Sequence, residues 1–387
     1  MKTVFKGAMV YSSCSRSFIK ADICTENGII TDVAAEEAAL SPDTEVIDCA
    51  GKYIIPGLVD IHTHGRGGFD FNTVKESEMA EVRASYAAAG TTTVMATLAS
   101  ATLDSLHESM EIIGKNRTPV PGIASIAGTH LEGRYLSVKR RGAHAESLLA
   151  PLDADELADL IGRMSPLPVH VSAAVEQDGG EAFVKRAVSL GATVGMVHSD
   201  ATYAEAMEAV QWGITSFTHT FNAMRPIHHR EPGNMIASLM CDSAYTELIC
   251  DGEHVHPAMI ALAHRTKPTD KLILITDSME AAGCSDGTYA IAGLKVFVKD
   301  GRAINEDGAL AGSTLNLFAA MKNFMSFTGI TLEEAIPCAT SNPAAMVGID
   351  SICGELRKGL RADLLILNDR TDPEIEAVYA FGAKVER

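Results

Sequence analysis

Six residues able to bind cations stand at the ends of short apolar runs: His62, His64, Glu132, His198, His219 and Asp277. Imidazole and carboxylate are ordinary ligands for zinc or ferrous iron. A divalent ion held by such a set lowers the pKa of its water to ~7, so hydroxide is on hand at neutral pH. The chemistry within reach is metal-assisted hydrolysis. Each residue alone also has a plain structural reading. A His-x-His pair often sits in a loop, and Glu132 suits a helix N-cap or first turn. His198 before Ser199-Asp200 suits a helix start, and Asp277 in Thr-Asp-Ser suits a cap. Their joint placement carries the weight, and that depends on the elements around them.

Candidate strands run Leu58–His64, Thr92–Ala96, Ile123–Glu132, Val169–Val175, Thr193–His198, Ser216–His219, Leu248–Asp251 and Leu272–Asp277. Between most of them lie segments of helical period, such as Lys75–Ala89, Asp153–Met164, Gly180–Leu190, Ala204–Trp212 and Pro257–His264. Eight strands alternating with helices over roughly 250–300 residues predict a (β/α)8 barrel; an open doubly wound sheet fits the same count. In a parallel barrel the strand C-termini converge on one face, where enzymes of this fold place their chemistry. Residues i and i+2 of a strand point the same way, so His62 and His64 both reach the axis. The six residues then gather from five strand ends.

The two ends of the chain read differently. Residues 1–54 are strands with turns at Glu26-Asn27-Gly28 and Cys49-Ala50-Gly51, and residues 351–387 resume that style with Ala362–Leu367 and Val378–Phe381. The expected architecture is α/β: a TIM-like barrel over 55–350, beside a small β-sandwich domain formed by the N- and C-terminal segments.

Composition narrows the function. With 47% hydrophobic and 21% charged residues, the chain can bury a core, which argues against wholesale disorder. The formal charge is −18 with no basic run, so nucleic acid and anionic membrane surfaces are poor partners. An anionic ligand would need a local cluster of cationic groups. The longest apolar runs, such as Lys271–Thr276, are strand-sized, far short of a membrane span. The opening Met-Lys-Thr-Val-Phe reads as a first strand and not a signal peptide, which points to the cytoplasm. Eight cysteines without a C-x-x-C pair read as reduced core thiols.

The stretch Pro56-Gly57-Leu58-Val59-Asp60-Ile61-His62-Thr63-His64-Gly65 resembles the opening signature of the amidohydrolase superfamily. Further blocks are similar to N-acetylglucosamine-6-phosphate deacetylases: His130–Gly133, Lys139–His144, Gly195–Thr202 and Thr218–Met224. So are Arg230–Gly233, Asp251–Val255, Thr276-Asp277, Leu310–Ser313, Ser341–Ala344 and Gly359–Leu364. The resemblance runs from about residue 50 to the end in the family's order. The Asn222-Ala223-Met224 and Asp251–His254 blocks are specific to this branch, whereas His62-Thr63-His64 is superfamily-wide.

Carried over position by position, the resemblance implies that Glu132, His198 and His219 hold the principal metal, zinc or iron. Members with histidines at both His62 and His64 can bind a second ion, bridged by the glutamate, and this chain has both, which implies one or two ions per subunit. Asp277, at the metal's edge, would act as general base and then general acid. His144 would steady the carbonyl oxygen as it becomes an oxyanion. Arg230 would bind phosphate across the interface of a homodimer, completed by Asn222 and Ala223. Asp251, Gly252, Glu253 and His254 would line the sugar beside Ala143, and Leu310, Ala311 and Gly312 would close over it. The implied reaction gives glucosamine 6-phosphate and acetate.

Other histidines (His107, His130, His170, His256, His264) read as structural, and His228 and His229 as solvated loop residues. Several positions depart from the family. Arg134 stands where proline is usual, Ala174-Val175-Glu176 replaces Ala-Pro-Glu, Thr220 replaces an aliphatic residue, and Glu280 adds a charge near Asp277. Arg134 and Glu280 either pair in solvent or touch substrate. The galacto epimer is the nearest alternative substrate. A cyclic-amide hydrolase would use a barrel lysine, which Val169–Val175 lacks. A non-catalytic sugar-phosphate sensor would not need Asp277.

Overall fold

The eight apolar runs become strands because they are short and rich in β-branched and large aliphatic residues. The structure, a computed structural model, describes residues 2–34 and 42–387. Strands Leu58–Thr63, Thr91–Ala99, Ser125–Glu132, Val169–Ala173, Thr193–Met196, Ser216–Phe217, Tyr245–Ile249 and Leu272–Ile275 pair in chain order, all parallel. Parallel neighbours need crossovers. Helices Met79–Ala88, Leu103–Lys115, Ala154–Met164, Gly180–Ser189, Tyr203–Trp212, Gly233–Met240 and Pro257–Thr266 supply them, and Leu317–Thr328 follows the last strand.

The seam between the first and eighth strands closes just past their ends. Asp277 N donates to His62 O at 2.9 Å and His64 N to Ser278 O at 2.8 Å. Below them the Thr276 hydroxyl donates to the buried Asp60 carboxylate at 2.6 Å. The sheet is therefore a barrel and not an open doubly wound sheet.

One crossover shows how the layers hold together. Asp153 caps Ala154–Met164 by accepting from the N–H groups of Asp155 and Glu156, both at 2.9 Å. Leu157, Leu160, Ile161 and Met164 then fall on one stripe and are buried. They join Val94, Ala96, Leu98, Leu248, Leu272 and Leu274 from the outer barrel face in the main core, each such side chain worth roughly 1.5–3 kcal/mol on burial.

Both ends of the chain meet in a second sheet, ordered Ala383–Lys384, Ile375–Ala380, Leu364–Leu367, Tyr53–Pro56, Lys2–Ser12, Ser17–Glu26, Ile29–Ala34. Thr44–Asp48 pairs with the first half of Lys2–Ser12 and Tyr53–Ile54 with its second half. The bulge between Phe5 and Ala8 marks the change of partner, and Gly7 there has φ +77°. Phe5, Val10, Ile23, Ile54, Leu364 and Tyr379 are part of this sheet's own core.

Several details differ from the sequence reading, among them the seventh strand, which runs Tyr245–Ile249 instead of Leu248–Asp251. The second barrel strand runs on to Ala99 instead of stopping at Ala96. A three-stranded sheet, Gly287–Ile291, Leu294–Lys299 and Arg302–Asn305, is inserted after the eighth strand. All eight cysteines are unpaired, but Cys14 and Cys284 are exposed and outside any core. Among the described residues no helix is long and apolar enough to cross a membrane.

Candidate active site

Glu132 closes the third strand, and four imidazoles surround its carboxylate. Its Oε2 lies 3.1 Å from His64 Nε2 and 3.5 Å from His62 Nε2. Its Oε1 lies 3.0 Å from His219 Nε2 and 3.4 Å from His198 Nε2. Asp277 Oδ1 reaches His64 Nε2 at 3.2 Å and His62 Nε2 at 3.5 Å. The donor atoms form two sets, His62/His64/Glu132 and Glu132/His198/His219, each with its atoms within 4.8 Å of one another. All six residues are buried or nearly so.

His198, His219 and Asp277 do not end strands, as the sequence reading had them. Each lies two residues past its strand, with φ of +44°, +31° and +49°. The left-handed backbone turns these side chains back over the barrel mouth, a conformation non-glycine residues adopt at a cost of ~1–3 kcal/mol. On the first strand, Thr63 faces away to Tyr86 Oη at 2.5 Å and Ser278 Oγ at 2.7 Å, so its neighbours His62 and His64 share the inner face.

The electrostatics are mutual. Burial alone would lower His62 and His64, but Glu132 and Asp277 override it, raising His62 well above its ordinary value and His64 to about 9. Burial alone would raise the two carboxylates, but the imidazoles hold Glu132 well below the carboxylate range and Asp277 at about 2. Nitrogens and oxygens thus converge with opposite charge. His198 Nε2 and His219 Nε2 stand 3.2 Å apart, and both ring nitrogens of His62 and Nδ1 of His64 and His219 have no hydrogen-bond partner. Four Nε2 atoms converging on two carboxylates, that of His62 without a hydrogen-bond partner, fit a divalent cation. His198 keeps Nε2 for that purpose because its Nδ1 donates to Arg140 O at 2.7 Å.

A cavity of about 220 Å³ opens above the cluster, a small-molecule site and not a macromolecular groove. His64, Glu132, His198, His219 and Asp277 line its floor. Ala143, His144, Asn222, Ala223, His254, Leu310, Ala311 and Gly312 line its walls. Asp251, Gly252 and Glu253 are not among its lining residues. Asp251 stands behind His254, its Oδ2 2.6 Å from the ring's Nδ1, and Glu253 pairs outward with Arg302 at 2.9 Å. Arg230 is exposed beside His229, outside the cavity of its own chain. His62 lies beneath the floor.

Ser100, Ile291, Ala292 and Leu294 also line the cavity and escaped the sequence reading. Ser100 follows the second strand, which was read three residues short. Its Oγ accepts from Arg134 N at 3.0 Å and meets His144 Nδ1 at 2.9 Å. A Ser100 hydroxyl that donates to His144 Nδ1 places the proton of this ring on Nε2. Burial keeps His144 neutral, pulled down to about 3, helped by the charge of His198. The other three residues form the tip of the inserted hairpin. Buried Asp70 holds that tip by accepting from Ala292 N at 2.7 Å, and Glu280 accepts from Ala290 N.

Arg134 and Glu280 therefore neither pair with each other nor touch the cavity. Arg134 forks onto Glu156 at 2.9 and 3.2 Å, and Tyr135 Oη donates to the same carboxylate at 2.8 Å. His228 and His229 are exposed. His130 and His170 are buried below the site, with His130 bridging Thr97 and Ser172.

The model of the amidohydrolase family matches residues 53–385. The chain belongs to that family. This amidohydrolase is 32% identical over 360 residues to N-acetylglucosamine-6-phosphate deacetylase of Vibrio furnissii, covering 93% of this chain and 89% of the relative. It is 33% identical over 333 residues to N-acetylgalactosamine-6-phosphate deacetylase of Escherichia coli O157:H7, covering 86% and 88%. Among solved structures it is similar to a single-residue variant of N-acetyl-D-glucosamine-6-phosphate deacetylase from Mycobacterium smegmatis in complex with N-acetyl-D-glucosamine-6-phosphate. That match has a TM-score of 0.89 and 30% identity and covers 100% of this chain and 99% of that one.

Proposed function

We propose that this amidohydrolase hydrolyses N-acetylglucosamine 6-phosphate to glucosamine 6-phosphate and acetate. The observation that carries the reading is the Glu132-centred cluster on the floor of a small cavity, with Asp277 and His144 facing the same space. Relatives of both hexosamine specificities at 32–33% identity support the substrate class.

Glu132, His198 and His219 would hold a principal divalent ion, zinc or iron, and His62 and His64 with the shared Glu132 a second. Such an ion, when bound, supplies Lewis acidity and lowers the pKa of water to ~7. The chain's own residues do the rest. Asp277 takes a proton from the attacking water and returns it to the amine nitrogen as the C–N bond breaks. His144, with its proton on Nε2, donates to the carbonyl oxygen as charge develops there. The apolar wall of Ala143, Ile291, Leu294 and Leu310 excludes bulk water, which strengthens both effects.

For the phosphate, the Asn222-Ala223 segment offers hydrogen-bond donors at the cavity wall. Arg230 would complete the pocket of a neighbouring copy in a homodimer, as its exposed position outside its own cavity suits. A cytoplasmic setting agrees with eight unpaired cysteines.

The test is acetate release by the purified, metal-supplemented protein from N-acetylglucosamine 6-phosphate and its galacto epimer. Faster turnover of the gluco substrate is expected. Faster turnover of the galacto epimer reassigns the sugar, and release from neither defeats the proposal.

A further inference from the structure

Strand Tyr245–Ile249 carries a carboxylate that nothing above uses. Leu248 packs into the outer core against the helices, so the alternation of the strand turns Glu247 inward. Glu247 is 0% exposed, and neither carboxylate oxygen has a hydrogen-bond partner. A buried acid without a partner is costly and rare. Its place in the barrel gives the reason. Oε2 lies 3.9 Å from His62 Nδ1, and Oε1 lies 3.8 Å from His170 Nε2.

His62 presents Nε2 to Glu132 and Asp277, 3.5 Å from each. To offer a lone pair there, the ring must carry its proton on Nδ1, and that proton needs an acceptor. Nδ1 has none within hydrogen-bond distance; Glu247 Oε2 is ~1 Å beyond it. The ring is also held edge-on against His130 at 4.5 Å, so a small swing of the Glu247 side chain closes the gap. On its other side Glu247 is backed by His170, whose Nδ1 is fixed by Thr193 Oγ1 at 2.9 Å. Charge points the same way. Glu132 and Asp277 balance one dication, and a second leaves an excess that a third carboxylate reduces.

We infer that Glu247 is a positioning residue for His62: from beneath the barrel floor it accepts a hydrogen bond from Nδ1–H, which keeps the proton on that nitrogen and so equips His62 and His64 to hold a second divalent cation. This rests on the metal-dependent reading above, but ion binding is measured without turnover, so the two fail separately.

Metal-free wild type, Glu247→Leu, Glu247→Gln and His62→Ala proteins are titrated with zinc chloride by calorimetry, with bound zinc counted by mass spectrometry. Wild type takes up two equivalents. Glu247→Leu keeps one at wild-type affinity and binds the other about 10–100-fold more weakly, matching the equivalent lost in His62→Ala. Glu247→Gln, whose carbonyl still accepts from Nδ1, recovers most of the affinity. The melting temperature of metal-free Glu247→Leu stays at or above that of wild type, since an apolar side chain replaces an unpaired acid. The inference is overturned if wild type binds only one equivalent or if Glu247→Leu binds both at wild-type affinity. It is also overturned if the metal-free variant is destabilised and loses both ions together.

Discussion

Asp277→Asn separates proton handling from metal holding. The substitution keeps size and shape, and Asn tolerates the left-handed φ of +49° as well as Asp does. Its amide oxygen can keep the place of Asp277 Oδ1, which lies 3.2 Å from His64 Nε2 and 3.5 Å from His62 Nε2. What disappears is the capacity to take and return a proton. Loss of a general acid–base group costs about 10²–10⁴ in rate, or about 2.7–5.4 kcal/mol of barrier. The Glu132/His198/His219 set does not include Asp277, so the principal ion stays. The assay pairs kcat for acetate release with ion content on the same preparation. A fall of at least a hundredfold at unchanged content of the principal ion is expected. A variant retaining kcat within tenfold would show that another group moves the proton, and one that lost that ion along with activity would show Asp277 to be chiefly a ligand.

Ser100→Ala removes the hydroxyl that fixes His144; at ~0.5–1.5 kcal/mol for one neutral hydrogen bond, kcat should drop about 2–13-fold with KM and ion content unchanged. Glu156→Ala strands the Arg134 guanidinium and the Tyr135 hydroxyl, both mostly buried; chemical denaturation should show a loss of about 3 kcal/mol. Lys267 donates to Ser238 O at 2.9 Å and to Cys241 O, at the end of helix Gly233–Met240, and Lys267→Met should cost about 1–3 kcal/mol in the same measurement. Burial lowers Lys267 to about 8, below its unfolded value of ~10.4. The unfolded chain then binds more protons between those limits, so wild type gains stability as pH rises through that window and the deficit of Lys267→Met widens. A deficit independent of pH would contradict a charged, burial-strained amine.

The barrel was legible because its outward faces obey simple chemistry: Val94, Ala96, Leu98, Leu272 and Leu274 must meet helices, and the helices show matching stripes. That six residues of cation-binding type gather in one place was legible from type and order. Backbone detail was not. Sequence patterns place His198, His219 and Asp277 near strand ends, but only tertiary hydrogen bonds hold them in a left-handed turn two residues on. Ser100 was hidden because Ala99-Ser100-Ala101 looks like the start of a loop, whereas the strand before it is buried throughout. The inserted hairpin was missed because Gly287–Asn305 is largely exposed and packs over only a small core of its own. Glu247 gave no signal because the seventh strand was read from Leu248, one residue past it, whereas the strand runs Tyr245–Ile249 and is covered on both sides at Glu247.

The left-handed residues explain why so much of the surrounding backbone is tied down. Each would gain ~1–3 kcal/mol by relaxing to an extended conformation, and relaxation would carry its side chain off Glu132. Each is gripped through its own carbonyl: Ser137 N holds His198 O at 3.1 Å, Asn222 N holds His219 O at 3.0 Å, and Ser313 N holds Asp277 O at 2.7 Å. The gripping residues come from the loops that also carry His144, Asn222-Ala223 and Leu310–Gly312. The bonds that keep the floor strained are therefore the bonds that set the walls in place. Cavity-lining loops anchored in this way are positioned by the same free energy that fixes the His and carboxylate cluster. A substitution that loosens the grip of Ser137 or Ser313 should disturb cation affinity and sugar binding together, although neither residue lines the cavity.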